Sequence, residues 1–185
     1  MSAEQARHGV AASLGTDQPK VDRVTSAMLR DLFVNGDFGA SLDGGAPILD
    51  ASERSHMQDV GGLVRVLALL ELAALVTLLI TGRRLRGERA RRGQLLLRAA
   101  AGVGLAALVL GAFFALAFDT AFAAFHALFF KAGTWQFGPE SNLIRLFPDP
   151  FWFETSLLAG AAIVLSAVLA AWFARRDRGS TTAAR

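Results

Sequence analysis

Two of the three histidines in this chain stand where a side chain could move protons. His56 lies in ASERSHMQDV, 51–60, just ahead of an apolar run. His126 lies in DTAFAAFHALFFKAGTWQFGPESNLIRLFPDPFW, 119–152, between two further apolar runs. Carboxylates sit near both at helical spacing: Glu53 three residues before His56, Asp59 three after it, and Asp119 seven before His126, two turns back on the same face. Such a carboxylate can hold one ring nitrogen protonated and leave the other free as a base near neutral pH. Structural explanations stand beside that chemistry. Asp50 and Glu53 have the spacing of a capping box, Asp119 can mark a membrane boundary, and a histidine at an interface can serve packing alone. His8, in a polar stretch, has no comparable surroundings.

Other chemistries find no footing. The chain has no cysteine, hence no disulfide framework, thiol nucleophile or Cys-based metal site. It has no G-x-S-x-G elbow and no P-loop. Neither histidine has an aspartate five residues later, the arrangement typical of glycerolipid acyltransferases. A zinc site built from His56, His126 and a carboxylate is geometrically possible, but no helical H-E-x-x-H pair supports it, so no metal and no cofactor is expected. The net charge of +3 and a pI near 10.5 would suit nucleic acid, yet no nucleic-acid motif accompanies them. The arginines cluster beside the apolar runs instead, as membrane topology signals do.

Those runs must position the histidines. Apolar residues make up 53% of the chain and concentrate in three stretches near membrane-spanning length, 61–81, 99–118 and 154–174. The second continues almost unbroken to Phe130. As one helix it would extend about 48 Å against a hydrocarbon core of about 30 Å, so its end must project or bend. Asp149-Pro150 reads as a helix start, and Trp152 and Trp172 fall near the ends of the third run, as interfacial aromatics do. Arg65 can snorkel to headgroups from the start of the first run. Glu71, deeper, is expected to face other helices, whether as a contact or as a functional group. Ahead of the runs, residues 1–24 read as a flexible tail. Residues 25–34 read as an amphipathic helix through Met28, Leu29, Leu32 and Phe33, with turns at Asn35-Gly36 and Gly44-Gly45. The fold expected is therefore an all-α integral membrane protein. It has three transmembrane helices in 61–174 and a small extracytoplasmic part formed by 25–60 and the 119–153 loop.

Orientation follows from arginine. The connection 82–98 holds Arg83, Arg84, Arg86, Arg89, Arg91, Arg92 and Arg98 against Glu88, and the tail 175–185 holds Arg175, Arg176, Arg178 and Arg185 against Asp177. Residues 119–155 carry only Lys131 and Arg145 against Asp119, Glu140, Asp149 and Glu154. The arginine-rich connection and the C-terminal tail are expected in the cytoplasm, and the 119–155 loop outside. Residues 1–60 then also lie outside, either because the first run translocates its own N-terminus or because an upstream span precedes this chain. Antiparallel neighbours joined by a short connection pack side by side, so both imidazoles are expected on the outer side at comparable depth. The phenylalanines from Phe113 to Phe130 suit a lipid-facing packing surface or an acyl-chain channel equally well.

ERSHMQDV ahead of one span, then HALFF, TWQF and LIRLFP after the next, with DLFVNGDF at 31–38, resemble the Lit family of bacterial membrane proteins, the lipoprotein intramolecular transacylases. The resemblance covers about residues 25–174. It implies four transmembrane helices, an outward-facing extramembrane part and two essential histidines, which correspond to His56 and His126. It implies transfer of the sn-2 acyl chain of a diacylglyceryl-modified lipoprotein to the α-amine of its N-terminal cysteine, giving a lyso-form lipoprotein in the bacterial cell membrane. The chain departs from the pattern by lacking the first span. Its Ala-, Arg- and Gly-rich usage also suggests a high-GC source, unlike the characterised members, which leaves room for a different substrate. The reaction needs a base and an acid but no nucleotide or metal. His126 is assigned as base and His56 as partner acid or orienter, interchangeably, with Glu53, Asp59 and Asp119 in support. Asn142, Trp135 and Arg145 are candidate donors to a developing oxyanion. The substrate is the lipoprotein, with membrane lipid as the other partner. The competing class is a non-catalytic multi-pass protein whose outer loop binds lipid or a partner subunit.

Overall fold

Apolar residues recur along this chain at helical rather than alternating spacing, and every described element of the computed structural model is a helix. The structure describes residues 2–34 and 36–179. Asn35 of the expected Asn35-Gly36 turn and the tail beyond 179, Arg185 included, lie outside the described residues. In order, the helices are α1 Ser2–Arg7, α2 Val10–Ser13, α3 Gln18–Val34, α4 Ala51–Arg84, α5 Arg89–Leu116, α6 Phe118–Phe129, α7 Asn142–Leu146 and α8 Asp149–Gly179. The chain divides into two units, one holding 2–70 with Phe122–Phe153, the other Glu71–Ala121 with Glu154 onward.

The first unit has a conventional buried core. Val21, Val24 and Met28 line one face of α3 and pack with Phe38, Leu49, Met57, Leu143, Leu146, Phe147 and Phe151. Val10 of α2 joins this cluster. Gln5 of α1 is fully buried, its amide donating to Thr25 Oγ1 at 3.1 Å and to the Leu146 carbonyl at 3.0 Å. A flexible tail is therefore not what 2–24 forms. The segment is too polar to signal burial by composition, but a few apolar contacts and one satisfied amide fasten it. Phe38 takes a left-handed backbone (φ 54°) to drive its ring into the core, and the buried Asp31 carboxylate accepts its N–H at 3.2 Å. Gly36 passes so close to Asp31 that a Cβ would overlap that side chain. Arg65 does not serve only as a headgroup anchor, since its guanidinium donates to the Leu32 carbonyl in the last turn of α3 at 3.2 Å.

In the second unit, α5 and α8 meet through small residues. A Cβ on Gly104 would sit 3.3 Å from that of Ala167, and Gly93, Ala100, Ala167 and Ala174 are buried. The leucines and valines around them point outward, the inverse of a soluble core. Among the described residues three helices, α4, α5 and α8, are long and apolar enough to cross a membrane. Each is longer than the run that announced it, because a helix does not stop where hydropathy does. The arginine-rich connection shrinks correspondingly, since α4 already includes Arg83 and Arg84 and α5 starts at Arg89. The long second run is broken at Ala117 (φ −144°, ψ 53°), so it forms two helices and not one rod. Glu71, expected to face other helices, is exposed on α4, and no described contact accounts for a carboxylate at that depth.

Candidate active site

Both histidines belong to the first unit. α4 opens with the expected capping box. Asp50 Oδ1 accepts the N–H of Ser52 at 2.7 Å and of Glu53 at 2.9 Å, and Glu53 Oε2 accepts the Asp50 N–H in return at 2.8 Å. With the helix start pinned, Glu53, His56, Met57 and Gly61 share its buried face. Glu53 does more than cap. Its other oxygen, Oε1, accepts the Ser141 hydroxyl and, at 3.1 Å, the Leu143 N–H, so one buried carboxylate joins the starts of α4 and α7.

His126 reaches the same place from α6. Its ring centroid lies 6.0 Å from that of His56, the planes 28° apart. No hydrogen bond joins the two rings directly. Aromatic side chains enclose the pair. Phe130 and Phe137 lie 4.9 and 5.5 Å from His56, while Phe122 and Trp135 lie 4.1 and 4.9 Å from His126. His56 is only 5% exposed, and His126 is partly buried.

The hydrogen bonds set roles. A carbonyl only accepts, so the 2.8 Å contact between His126 Nδ1 and the Phe122 carbonyl is an Nδ1–H donation. Neutral His126 then carries its free lone pair on Nε2. Burial pulls its pKa below the ordinary histidine value, and the Phe122 carbonyl opposes that pull. That shift favours the neutral ring, the form whose Nε2 can act as a base. Two polar atoms of the enclosure have no hydrogen-bond partner among the described residues, His56 Nδ1 and Trp135 Nε1. A buried N–H left unmet is uncommon, and at a candidate site it suits an incoming acceptor.

The residues expected to assist fare unevenly. Asp59 is exposed and makes no hydrogen bond to His56, because three residues on from His56 the helix has turned away from the buried face. Asp119 is exposed in the first turn of α6. The His126 ring turns back along its own helix to the carbonyl four residues earlier. Glu53 acts on the scaffold. Of the three candidate donors, Asn142 is engaged with the Ile48 carbonyl at 2.7 Å, and Arg145 is paired with Glu140. Trp135 keeps its donor uncommitted. The sequence reading missed the Phe122 carbonyl, the Phe137 wall and the Ser141 tie. Only the first had a signal, in the helical spacing itself.

Comparisons with known proteins bear on this geometry. The model of the family described as "Lipoprotein intramolecular transacylase Lit" matches residues 3–152, a span that includes both histidines. The solved structure of the membrane integral lipoprotein intramolecular transacylase Lit from Bacillus cereus aligns with a TM-score of 0.84 at 18% identity, over 98% of this chain and 83% of that one. At that identity the likeness speaks to fold. No curated protein sequence matches significantly.

Proposed function

This chain belongs to the Lit family of lipoprotein intramolecular transacylases, and from that premise we propose that it moves the sn-2 acyl chain of a diacylglyceryl-modified lipoprotein onto the α-amine of the N-terminal cysteine. The observation that carries the reading is the enclosed histidine pair, one member holding a defined tautomer with Nε2 free. In the first step the amine nitrogen attacks the sn-2 ester carbonyl carbon, a C–N bond forms, and the carbonyl electrons move onto oxygen. His126 Nε2 takes the proton the nitrogen sheds. The oxyanion collapses, the bond from carbonyl carbon to the sn-2 oxygen breaks, and that oxygen takes a proton from the histidine pair. Ester plus amine becomes amide plus alcohol, with no proton gained or lost. Trp135 Nε1–H is the donor best placed for the oxyanion, being buried beside His126 and otherwise unmet. Because amine and ester are already joined in one molecule, holding them together supplies much of the rate.

The position along α4 suits a substrate in the membrane. His56 precedes Gly61, where the apolar run begins, by five residues, roughly 7–8 Å of helix. Acyl esters of a diacylglyceryl group lie at that headgroup boundary. The arginine distribution supports an extracytoplasmic site and a cytoplasmic C-terminus. Purified protein in nanodiscs with a synthetic diacylglyceryl lipopeptide should convert it to a lyso-lipopeptide of unchanged mass carrying an N-acyl cysteine, read by tandem mass spectrometry. Intact ester and free amine after prolonged incubation with folded protein would favour the competing class, a lipid- or subunit-binding protein without catalysis.

A further inference from the structure

The end of α3 carries apolar side chains that its own unit leaves uncovered. Val21, Val24 and Met28 enter the core, but Leu29, Phe33 and Val34 are 37%, 62% and 64% exposed. Leu29 and Phe33, four apart, share a face. What lies beside that face is fixed by α4. The Leu32 carbonyl accepts Arg65 Nη1 at 3.2 Å, and a Cβ on Gly61 would lie 3.4 Å from that same oxygen and 3.6 Å from Leu32 Cα. The Leu32 backbone therefore rests against the first residue of the apolar run. From Val66 onward α4 itself turns exposed and apolar, through Leu67, Leu69 and Leu70.

We infer that the C-terminal end of α3 is a membrane-surface anchor, with Leu29, Phe33 and Val34 seated in the headgroup–acyl boundary of the bilayer that α4 crosses. Two features favour lipid over a protein partner. Leu32, between Leu29 and Phe33, rests its backbone on Gly61 and meets Arg65, the residue just before α4 turns exposed and apolar at Val66. Cationic side chains flank them, exposed Arg30 one turn back and Arg65 alongside, and cations beside an apolar face match an anionic headgroup layer. Seating of this kind reaches about 5–10 Å into the boundary, which three side chains at a helix end can do without the helix crossing. The inference does not depend on acyl transfer and would stand if that reading failed.

The chain has no cysteine, so Phe33→Cys, Val34→Cys and Gly45→Cys each offer one site for an environment-sensitive fluorophore. Gly45 is exposed with open space around it and serves as the reference. The labelled proteins are reconstituted in phosphatidylcholine–phosphatidylglycerol liposomes containing lipid with a nitroxide near the top of the acyl chain or near its methyl end. The probes at 33 and 34 should emit to the blue of the one at 45. The shallow nitroxide should quench them at least severalfold more than it quenches 45, and more than the deep one does. Quenching at 33 and 34 no greater than at 45 overturns the anchor. Blue-shifted emission that neither nitroxide quenches overturns it too, because protein, a second copy or another partner, would then cover the face.

Discussion

His126 and His56 are close enough to work on one substrate and too enclosed to be ordinary surface residues, so their removal should behave as the loss of one unit. His126→Ala should lower acyl transfer by about 10²–10⁴-fold, and His56→Ala comparably. The double variant should be little worse than either, as members of one proton-transfer unit are strongly non-additive. Rates per folded molecule in nanodiscs check this; losses that multiply would mean independent roles. The sign of the pH effect follows from burial, which favours neutral His126. Its NMR titration should have a midpoint on the acid side of 6.5, the ordinary value. The rate should fall on acidification first with the substrate ammonium, about 8 by its ordinary value, and with a steeper slope only below 6.5. Stability takes the same sign: a histidine that folding makes less basic contributes stability fully present above its unfolded pKa and lost as the pH falls from there through its lower folded pKa. A midpoint above 6.5 would indicate a carboxylate partner after all. Trp135→Phe keeps an aromatic wall and removes one donor, so kcat should drop about 10²-fold with KM little changed. At this scale the histidines were legible because imidazole between apolar runs is conspicuous. Their partners were not, because spacing reports which groups share a face and says nothing of which are already engaged.

At the scale of elements, the segment between α6 and α7 is what closes the site, since it brings Trp135 and Phe137 over the histidines. It is irregular, and one of its ends is held by Glu53, through Ser141 and Leu143. Ser141→Ala removes one bond from the tie and the cap that Ser141 Oγ makes by accepting the Ile144 N–H, while leaving the Asp50–Glu53 capping box intact. It should cost about 1 kcal/mol of stability, and kcat should fall more than stability alone predicts. Glu53→Gln should be harsher, because an amide presents a donor where the carboxylate met three. Thermal unfolding in detergent beside turnover of the lipopeptide separates the two effects. Full kcat in a folded Ser141→Ala protein would reduce the tie to scaffolding. The helix start at Asp50 could be read in advance because a capping box is local. The bond from Glu53 to Ser141 spans 88 residues, and no local pattern announces it. Likewise residues 2–24 are fastened by Gln5 meeting Thr25 and Leu146 and by Val10 and Val21 in the core, a tertiary match invisible in a polar stretch.

For the whole molecule, the three crossings were the most legible feature, because a bilayer asks only for apolar side chains and internally bonded backbone. That demand leaves identity free to drift, so a chain 18% identical to the Bacillus cereus protein can share its fold at a TM-score of 0.84. Orientation is specified differently, by where arginine concentrates. Between the apolar parts of α4 and α5 stand Arg83, Arg84, Arg86, Arg89, Arg91 and Arg92, whereas the segment joining α6 to α8 holds only Lys131 and Arg145. Moving the first group across an energised membrane would oppose the potential at every arginine. Lys131→Cys and Gly87→Cys test the outcome, since both positions are exposed and the chain is otherwise free of cysteine. In intact cells an impermeant maleimide should label the cysteine at 131 within minutes and leave the one at 87 untouched until the membrane is opened. The histidines lie in the same unit as residue 131, so labelling at 131 places the enclosure on the outer face, where the amine of an anchored lipoprotein waits. The opposite pattern, 87 labelled and 131 protected, would turn the molecule over and leave the proposed substrate on the wrong side of the membrane from the histidine pair.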